Sequence, residues 1–176
     1  GGVKLIELLR KGRSIRRFKD KPIEQEKIDI LKEAALRSPT AKNLHSWEFI
    51  FIDDKETIGK LANARNQSSA FLRGAPLCMA VLGSEEVNDT WIEDASIAAI
   101  IVQLTALSIG LGSCWIQIRN RMHSEKISSD EYVRSILGIP DNYRVVCLLA
   151  IGYPGEQKEP VPFESLRWDK IHINKW

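Results

Sequence analysis

Apolar residues recur along this chain with two periods, and each change of period separates a helix from a short strand. Residues 3–9 carry apolar side chains at 3, 5, 6, 8 and 9 and run into Arg10 and Lys11. They meet Gly12 where a helix C-cap glycine belongs, which predicts a first helix. Asp20, Pro22 and Glu24 open a second helix through Ile28, Leu31, Ala34 and Ala35. It closes near Ser38-Pro39, because proline disfavours helical geometry at the residue before it. Aromatic and branched residues predict strands at 47–52 and 77–82, with a short helix over 55–63 between them. A long helix over 91–109 precedes a third strand at 113–118. Ser128 and Glu131 have capping-box spacing for a helix ending at Gly138, and 145–151 reads as the fourth strand. This order of helices and short strands predicts an α+β fold, with helices packed on a sheet.

The segment 95–118 contains no charged residue and is long enough to span a bilayer as a helix. Ser96, Gln103, Thr105, Ser108 and Ser113 are scattered through it, Gly110-Leu111-Gly112 interrupts it, and no aromatic or basic belt flanks both ends. It reads as a buried helix followed by a buried strand, with no membrane role. A helix apolar nearly all round is expected to be covered on all sides, and in a chain this short the cover includes a second subunit. The tail 153–176 is rich in proline and charge, yet its Trp168, Ile171, Ile173 and Trp176 are expected to dock on something.

Composition narrows the class. With 44% hydrophobic residues in 176, the chain has material for one core, and residues 1–176 read as one domain. Its 25 basic and 23 acidic residues do not describe a nucleic-acid binder, whose positive charge dominates a whole face. Cys78, Cys114 and Cys147 are odd in number, share no C-x-x-C spacing and lie in or beside apolar runs. They read as reduced core residues of a cytoplasmic protein. Three scattered histidines argue against a zinc site. The Gly1-Gly2 start reads as an expression remnant, and no signal-peptide pattern follows it.

Three stretches carry candidate chemistry. Arg10, Lys11, Arg13, Arg16, Arg17, Lys19 and Lys21 crowd into a basic knot, whose guanidinium groups, Ser14 hydroxyl and free backbone N–H groups are placed to converge on a phosphate. The loop from Ser38 to Trp47 gathers small hydroxyl residues, Asn43 and His45; Asn43 donates and accepts at once, which suits the edge of a heterocycle. In Ile109-Gly110-Leu111-Gly112-Ser113-Cys114-Trp115-Ile116-Gln117, glycines permit tight turning and close approach of backbone to a flat ligand. Neither a dinucleotide fingerprint nor a phosphate-binding P-loop occurs. Taken singly, each stretch also suits an ordinary solvated turn or a helix stop.

Together they resemble the FMN-dependent nitroreductase family over essentially the whole chain. The resemblance rests on R-S-I-R-x-F after the first helix, S-P-T-A-x-N-x-x-W, D-A-S-I-A in the central helix, G-L-G-S-C-W-I, and L-G-I-P-D-x-Y followed by L-L-A-I-G-Y-P. It implies a mainly antiparallel sheet flanked by helices, in a homodimer whose C-terminal tail reaches the partner and whose interface holds FMN touched by both chains. Arg13 and Ser14 would lie near the phosphate and Arg16 at the N1/O2 edge. Pro39, Thr40, Ala41 and Asn43 would come from the partner, Trp115, Ile116 and Gln117 would lie along the ring, and an amide near Gln117 would bond N5. A fixed guanidinium at the N1/O2 edge stabilises the negative charge of reduced flavin, the role expected of Arg16.

The implied reaction is ping-pong: NADH or NADPH delivers hydride to N5, and a nitroaromatic, quinone or similar electrophile then takes it. Gly12 stands where many relatives carry a basic residue, and Lys158 is the candidate for the family's C-terminal phosphate contact. His45-Ser46 replaces Gln-Pro, which puts His45 at the substrate pocket. Another flavin task of the same family, azoline oxidation or reductive dehalogenation, and a non-catalytic flavin-binding protein are the alternatives.

Overall fold

Four strands form one antiparallel sheet in the order β1-β2-β4-β3, in a computed structural model that describes Gly2 and residues 4–176. The strands are β1 Trp47–Ile52, β2 Leu77–Gly83, β3 Gly112–Gln117 and β4 Arg144–Gly152. The helices are α1 Leu5–Lys11, α2 Gln25–Leu36, α3 Lys55–Leu61, α4 Trp91–Ser108 and α5 Ser129–Leu137. The α+β architecture is therefore the one that the residue pattern predicts. Val3, placed at the start of the first helix on sequence grounds, lies outside the described residues. A 3-10 run over Asn66–Gly74 was not expected.

Antiparallel sheets commonly leave one face to water, and their strands then alternate apolar with polar. Here β2, and β4 from Val145 on, are buried residue after residue, because helices cover both faces. On one face Leu77, Met79, Val81, Leu149 and Ile151 meet Leu31 and Ala35 of α2 and Ala95, Ala99, Val102 and Ala106 of α4. On the other, Cys78, Ala80, Leu82, Leu148 and Ala150 meet Ile58 and Leu61 of α3, Val133 of α5, and Leu72. Each fully buried leucine or isoleucine contributes about 1.5–3 kcal/mol.

By length and composition α4 could cross a membrane, yet its alanine flank is spent on the sheet and its Asp94 is buried. Its opposite flank is not covered: Ile97 and Ile100 are 40% and 48% exposed. Within one chain α4 is thus covered on one side only. The tail's aromatic residues likewise find no berth on their own chain, where Trp168 and Trp176 are exposed. Lys27 ties the layers together. Its ammonium donates to the Ile109 carbonyl at 2.8 Å and to the Tyr153 hydroxyl at 2.9 Å, setting a cation at the C-terminal end of α4.

Local signals at α5 hold. Ser128 Oγ accepts from the Glu131 N–H at 3.0 Å, and Gly138 ends the helix with φ 66°. Gly12 is the C-cap of α1 as expected, with an extended φ of −62° and its N–H donating to the Leu8 carbonyl at 2.9 Å. What favours glycine there is space, since a Cβ would sit 3.2 Å from the Leu8 carbonyl oxygen and 3.3 Å from a Leu107 methyl.

Candidate functional site

The basic knot runs beside the open edge of β3. The Ile15 N–H donates to the Ser113 carbonyl at 3.0 Å, the Lys19 N–H to the Tyr153 carbonyl at 2.9 Å, and the Gly155 N–H to the Arg17 carbonyl at 2.7 Å. Ile15 is buried directly over Gly112, where a Cβ would fall 2.8 Å from its Cγ1. Glycine at 112 is therefore what lets the knot lie on the strand.

The sequence reading is narrowed here: the N–H groups of Ile15, Arg16, Arg17 and Lys19 are already bonded within the chain. The Glu156 carboxylate accepts from the N–H groups of Arg16 and Arg17 at 2.7 and 3.0 Å. Those bonds, led by the one from Arg16, hold its pKa below the ordinary 4.5. A carboxyl group with a depressed folded pKa stabilises fully above its unfolded value and loses that contribution as pH falls through the folded one. The thermal midpoint is accordingly expected to drop below about pH 4.5 more steeply in the parent protein than in Glu156→Gln, measured by thermal unfolding across a pH series.

Side chains of the knot remain available, and they face a cleft of about 840 Å³. Lys11, Arg13, Ser14 and Lys158 supply its polar end together with Glu156 and Glu159, and Arg13 also donates to the Glu159 carbonyl. Its apolar wall comes from Leu104 and Leu107 of α4 with Trp115 of β3. Gln103 reaches in from α4 to donate to Ser113 Oγ at 3.1 Å. Arg16 lies outside this lining, with its guanidinium 5.9 Å from the centre of the Phe71 ring.

Register decides which edge amides of β3 are open. In an antiparallel strand, alternate residues turn their N–H and C=O toward the partner strand and away from it. The Ser113 carbonyl bonds Ile15 and thus points away from β4; by alternation so do the main-chain groups of Trp115 and Gln117. Ile116 points the other way and its side chain is core, which removes it from the candidate ring contacts. The Trp115 indole N–H donates to Gln117 Oε1 at 2.9 Å, and the Gln117 amide to the Arg119 carbonyl at 2.8 Å. The two side chains brace each other beside an unpaired strand edge.

Pro39, Thr40, Ala41, Asn43 and His45 are elsewhere. Their loop takes positive φ at Lys42, Asn43 and His45, of 55°, 56° and 51°, which costs free energy unless surrounding contacts fix it. Asp94 supplies those contacts from the N-terminal end of α4. Its carboxylate accepts from the Ala41 N–H at 3.1 Å, the Ser46 hydroxyl at 2.6 Å and the Thr90 hydroxyl at 3.1 Å. Asn88 donates to the Ala41 carbonyl at 3.1 Å, and the His45 N–H to Thr40 Oγ1 at 3.0 Å. The loop leads into β1 and the cleft follows β3, at opposite edges of the sheet, about 14 Å apart at the usual strand spacing. Along α4, Asp94 and the cleft residue Leu107 are separated by about 20 Å of helical rise. One chain cannot bring the two groups of candidates together.

Asp94 and Glu156 were missed as organisers of these segments. A signal existed for Asp94, the last charge before a long uncharged run; none existed for Glu156, whose partners are 140 and 139 residues away in sequence. Cys78 and Cys147 are buried and their pKa values are driven up by burial, so they are inert core thiols. Burial also raises Cys114, against the pull of the nearby Arg16 charge.

The model of the nitroreductase family matches residues 9–68 and 61–153. A solved structure of an FMN-dependent nitroreductase from Clostridium difficile is 46% identical, with TM-score 0.95 over 97% of this chain and 99% of that one. A protein of Archaeoglobus fulgidus, named for NADH dehydrogenase or NAD(P)H nitroreductase activity, is 30% identical over 97% of this chain and 98% of its own length. An NADPH-dependent oxidoreductase of Staphylococcus aureus is 25% identical over 98% of this chain and 74% of its own length.

Proposed function

Because this chain belongs to the nitroreductase family, we propose that it is an FMN-dependent oxidoreductase. It takes reducing equivalents from NADH or NADPH and passes them, in a separate half-reaction at the same site, to a nitroaromatic, quinone or similar electrophile. The carrying observation is the cleft beside β3, where an apolar wall, a cationic end and unpaired edge amides meet. Those features suit the chemistry of FMN, a flat ring with an anionic phosphate. Arg13, Ser14 and Lys158 would hold the phosphate, and the open edge at Trp115 and Gln117 would lie along the ring. When bound, FMN supplies a two-electron centre at N5 that exchanges hydride with the nicotinamide and with the acceptor.

The chain's own part is binding, orientation and electrostatics. Leu104, Leu107 and Trp115 exclude water from one side of the ring. Arg16 sets a positive charge toward its N1/O2 edge, where negative charge accumulates on reduction. The second set of candidates arrives from a second copy of the chain: Pro39, Thr40, Ala41 and Asn43 border the other side of the ring, where nicotinamide and acceptor stack in turn, and His45 faces the acceptor. The exposed apolar flank of α4, the exposed Leu5, Ile6 and Leu9 of α1, and the apolar tail supply the surface for that homodimer.

Anaerobic addition of NADH or NADPH to the purified protein is expected to bleach its visible flavin band, and a nitroaromatic or quinone to restore the colour. Bound flavin that neither donor bleaches would exclude the oxidoreductase reading. Arg16→Ala is expected to slow the bleaching about tenfold, corresponding to roughly 1.4 kcal/mol, while flavin content changes less. Stopped-flow absorbance and flavin released per chain measure the two effects.

A further inference from the structure

The turn that ends β3 carries a second group of arginines, outside the cleft already described. Residues 119–123 are fastened to the turn at 63–66 by three links, of which the one through Ser129 is buried and the other two are exposed. Ser129, fully buried, donates its N–H to the Arg121 carbonyl at 2.9 Å and its hydroxyl to the Ala64 carbonyl at 2.9 Å. Asn66 donates to the His123 carbonyl at 3.2 Å, and His123 Nδ1 lies 2.7 Å from the Asn63 carbonyl. The His123 ring is itself stacked on Tyr132, with centroids 3.8 Å apart. These links hold Arg65 and Arg121 in adjoining turns, with Arg119 between Gln117 and Arg121.

Two cationic side chains carried on adjoining turns repel one another unless an anion joins them. None is supplied from within: among the described residues, Arg65, Arg119 and Arg121 form no salt bridge, although other arginines of the chain pair with carboxylates. The Arg65 pKa is lowered, first by burial and then by the Arg121 charge. The turn is shaped by Asn66 and Asn120, both at positive φ, 53° and 60°. Its place is informative as well. The phosphate end of the cleft adjoins the Ser113 end of β3, whereas this cluster adjoins the Gln117 end, and the 3-10 run leading away from Arg65 carries the Phe71 that lies under Arg16.

We infer that Arg65 and Arg121 bind a phosphate of the dinucleotide electron donor as its nicotinamide approaches the Gln117 end of the β3 edge. The inference rests on the oxidoreductase reading above. It adds a donor-recognition site made of residues that reading does not use. Two phosphates of the donor share this chemistry, the 2′-phosphate present only in NADPH and the pyrophosphate common to both donors.

The test is steady-state and stopped-flow kinetics of the FMN-loaded protein and of Arg65→Gln, Arg121→Gln and the double variant, with NADPH and with NADH. A charge-assisted contact of this kind corresponds to roughly tenfold or more in affinity. The double variant is therefore expected to raise the NADPH KM at least tenfold, with kcat at saturating donor and flavin content unchanged, and to lose the salt dependence of KM. A rise for NADPH alone places the 2′-phosphate in the site, and an equal rise for both donors places the pyrophosphate there. Unchanged KM for both donors overturns the inference. Arg65→Lys keeps the charge and is expected to recover part of the loss, which a purely structural role for Arg65 would not predict. Failure of either donor to reduce the parent protein would instead strike the oxidoreductase reading, so the two failures are distinguishable.

Discussion

Asp94→Ala is expected to destabilise the protein by about 3 kcal/mol and to empty it of flavin. The buried carboxylate accepts from the Ala41 N–H and the Ser46 and Thr90 hydroxyls, and alanine leaves these donors without their acceptor. Each orphaned buried donor costs about 1–3 kcal/mol, less where a hydroxyl can rotate to another partner. For a chain of this size the loss corresponds to a fall in thermal midpoint of about 6–12 °C. The loop is also affected directly. Its three positive-φ residues, Lys42, Asn43 and His45, keep that conformation only while the Ala41 end is held. If the loop forms one side of the flavin pocket in a homodimer, flavin content falls even well below the melting range. Asp94→Asn retains one acceptor oxygen and should lose about half as much stability. Thermal unfolding and flavin released per chain provide the check. An unfolding midpoint unchanged in Asp94→Ala would mean that the loop is fixed by other contacts.

The second large effect is on affinity. Arg13→Ala combined with Lys158→Ala removes two of the three cations that line the cleft, leaving Lys11. Charge-assisted bonds are worth about 1.5–3 kcal/mol each, so FMN binding is expected to weaken on the order of 100-fold or more. The thermal midpoint of the apoprotein should barely move, because Arg13 is exposed and Lys158 is only half-buried. Salt should weaken FMN binding less in the double variant than in the parent, and fluorescence titration of the apoprotein with FMN measures both effects. Parent-like affinity would place the phosphate elsewhere and leave this end of the cleft unassigned.

The contrast between these two sites reflects what a linear sequence can express. The strands, the long helix and the capped α5 are legible because each is a local pattern of apolar spacing and terminal residues. The Asn66–Gly74 run was not legible, because a 3-10 segment with few apolar side chains has no helical stripe to show. Arg13 and Ser14 could be nominated from charge density, but the fate of the neighbouring amides could not. Glu156 reaches them across the whole length of the chain, and nothing in the local sequence indicates that contact. Gly12 was legible as the cap of α1, but its close approach to Leu107 was not, since a helix end does not say what packs beside it. The placement of Trp115 and Gln117 on the open side of β3, with Ile116 facing inward, needed the register with β4 and one hydrogen bond from Ile15.

The position of the loop and the cleft at opposite edges of the sheet bears on how the protein tolerates damage. In a dimer built from two identical chains, each site would combine one chain's cleft with the other chain's loop, so a lesion at either edge disables a wall rather than a subunit. Two chains injured at different edges, once paired, would still assemble one undamaged site from their two sound halves. Two chains injured at the same edge would retain none.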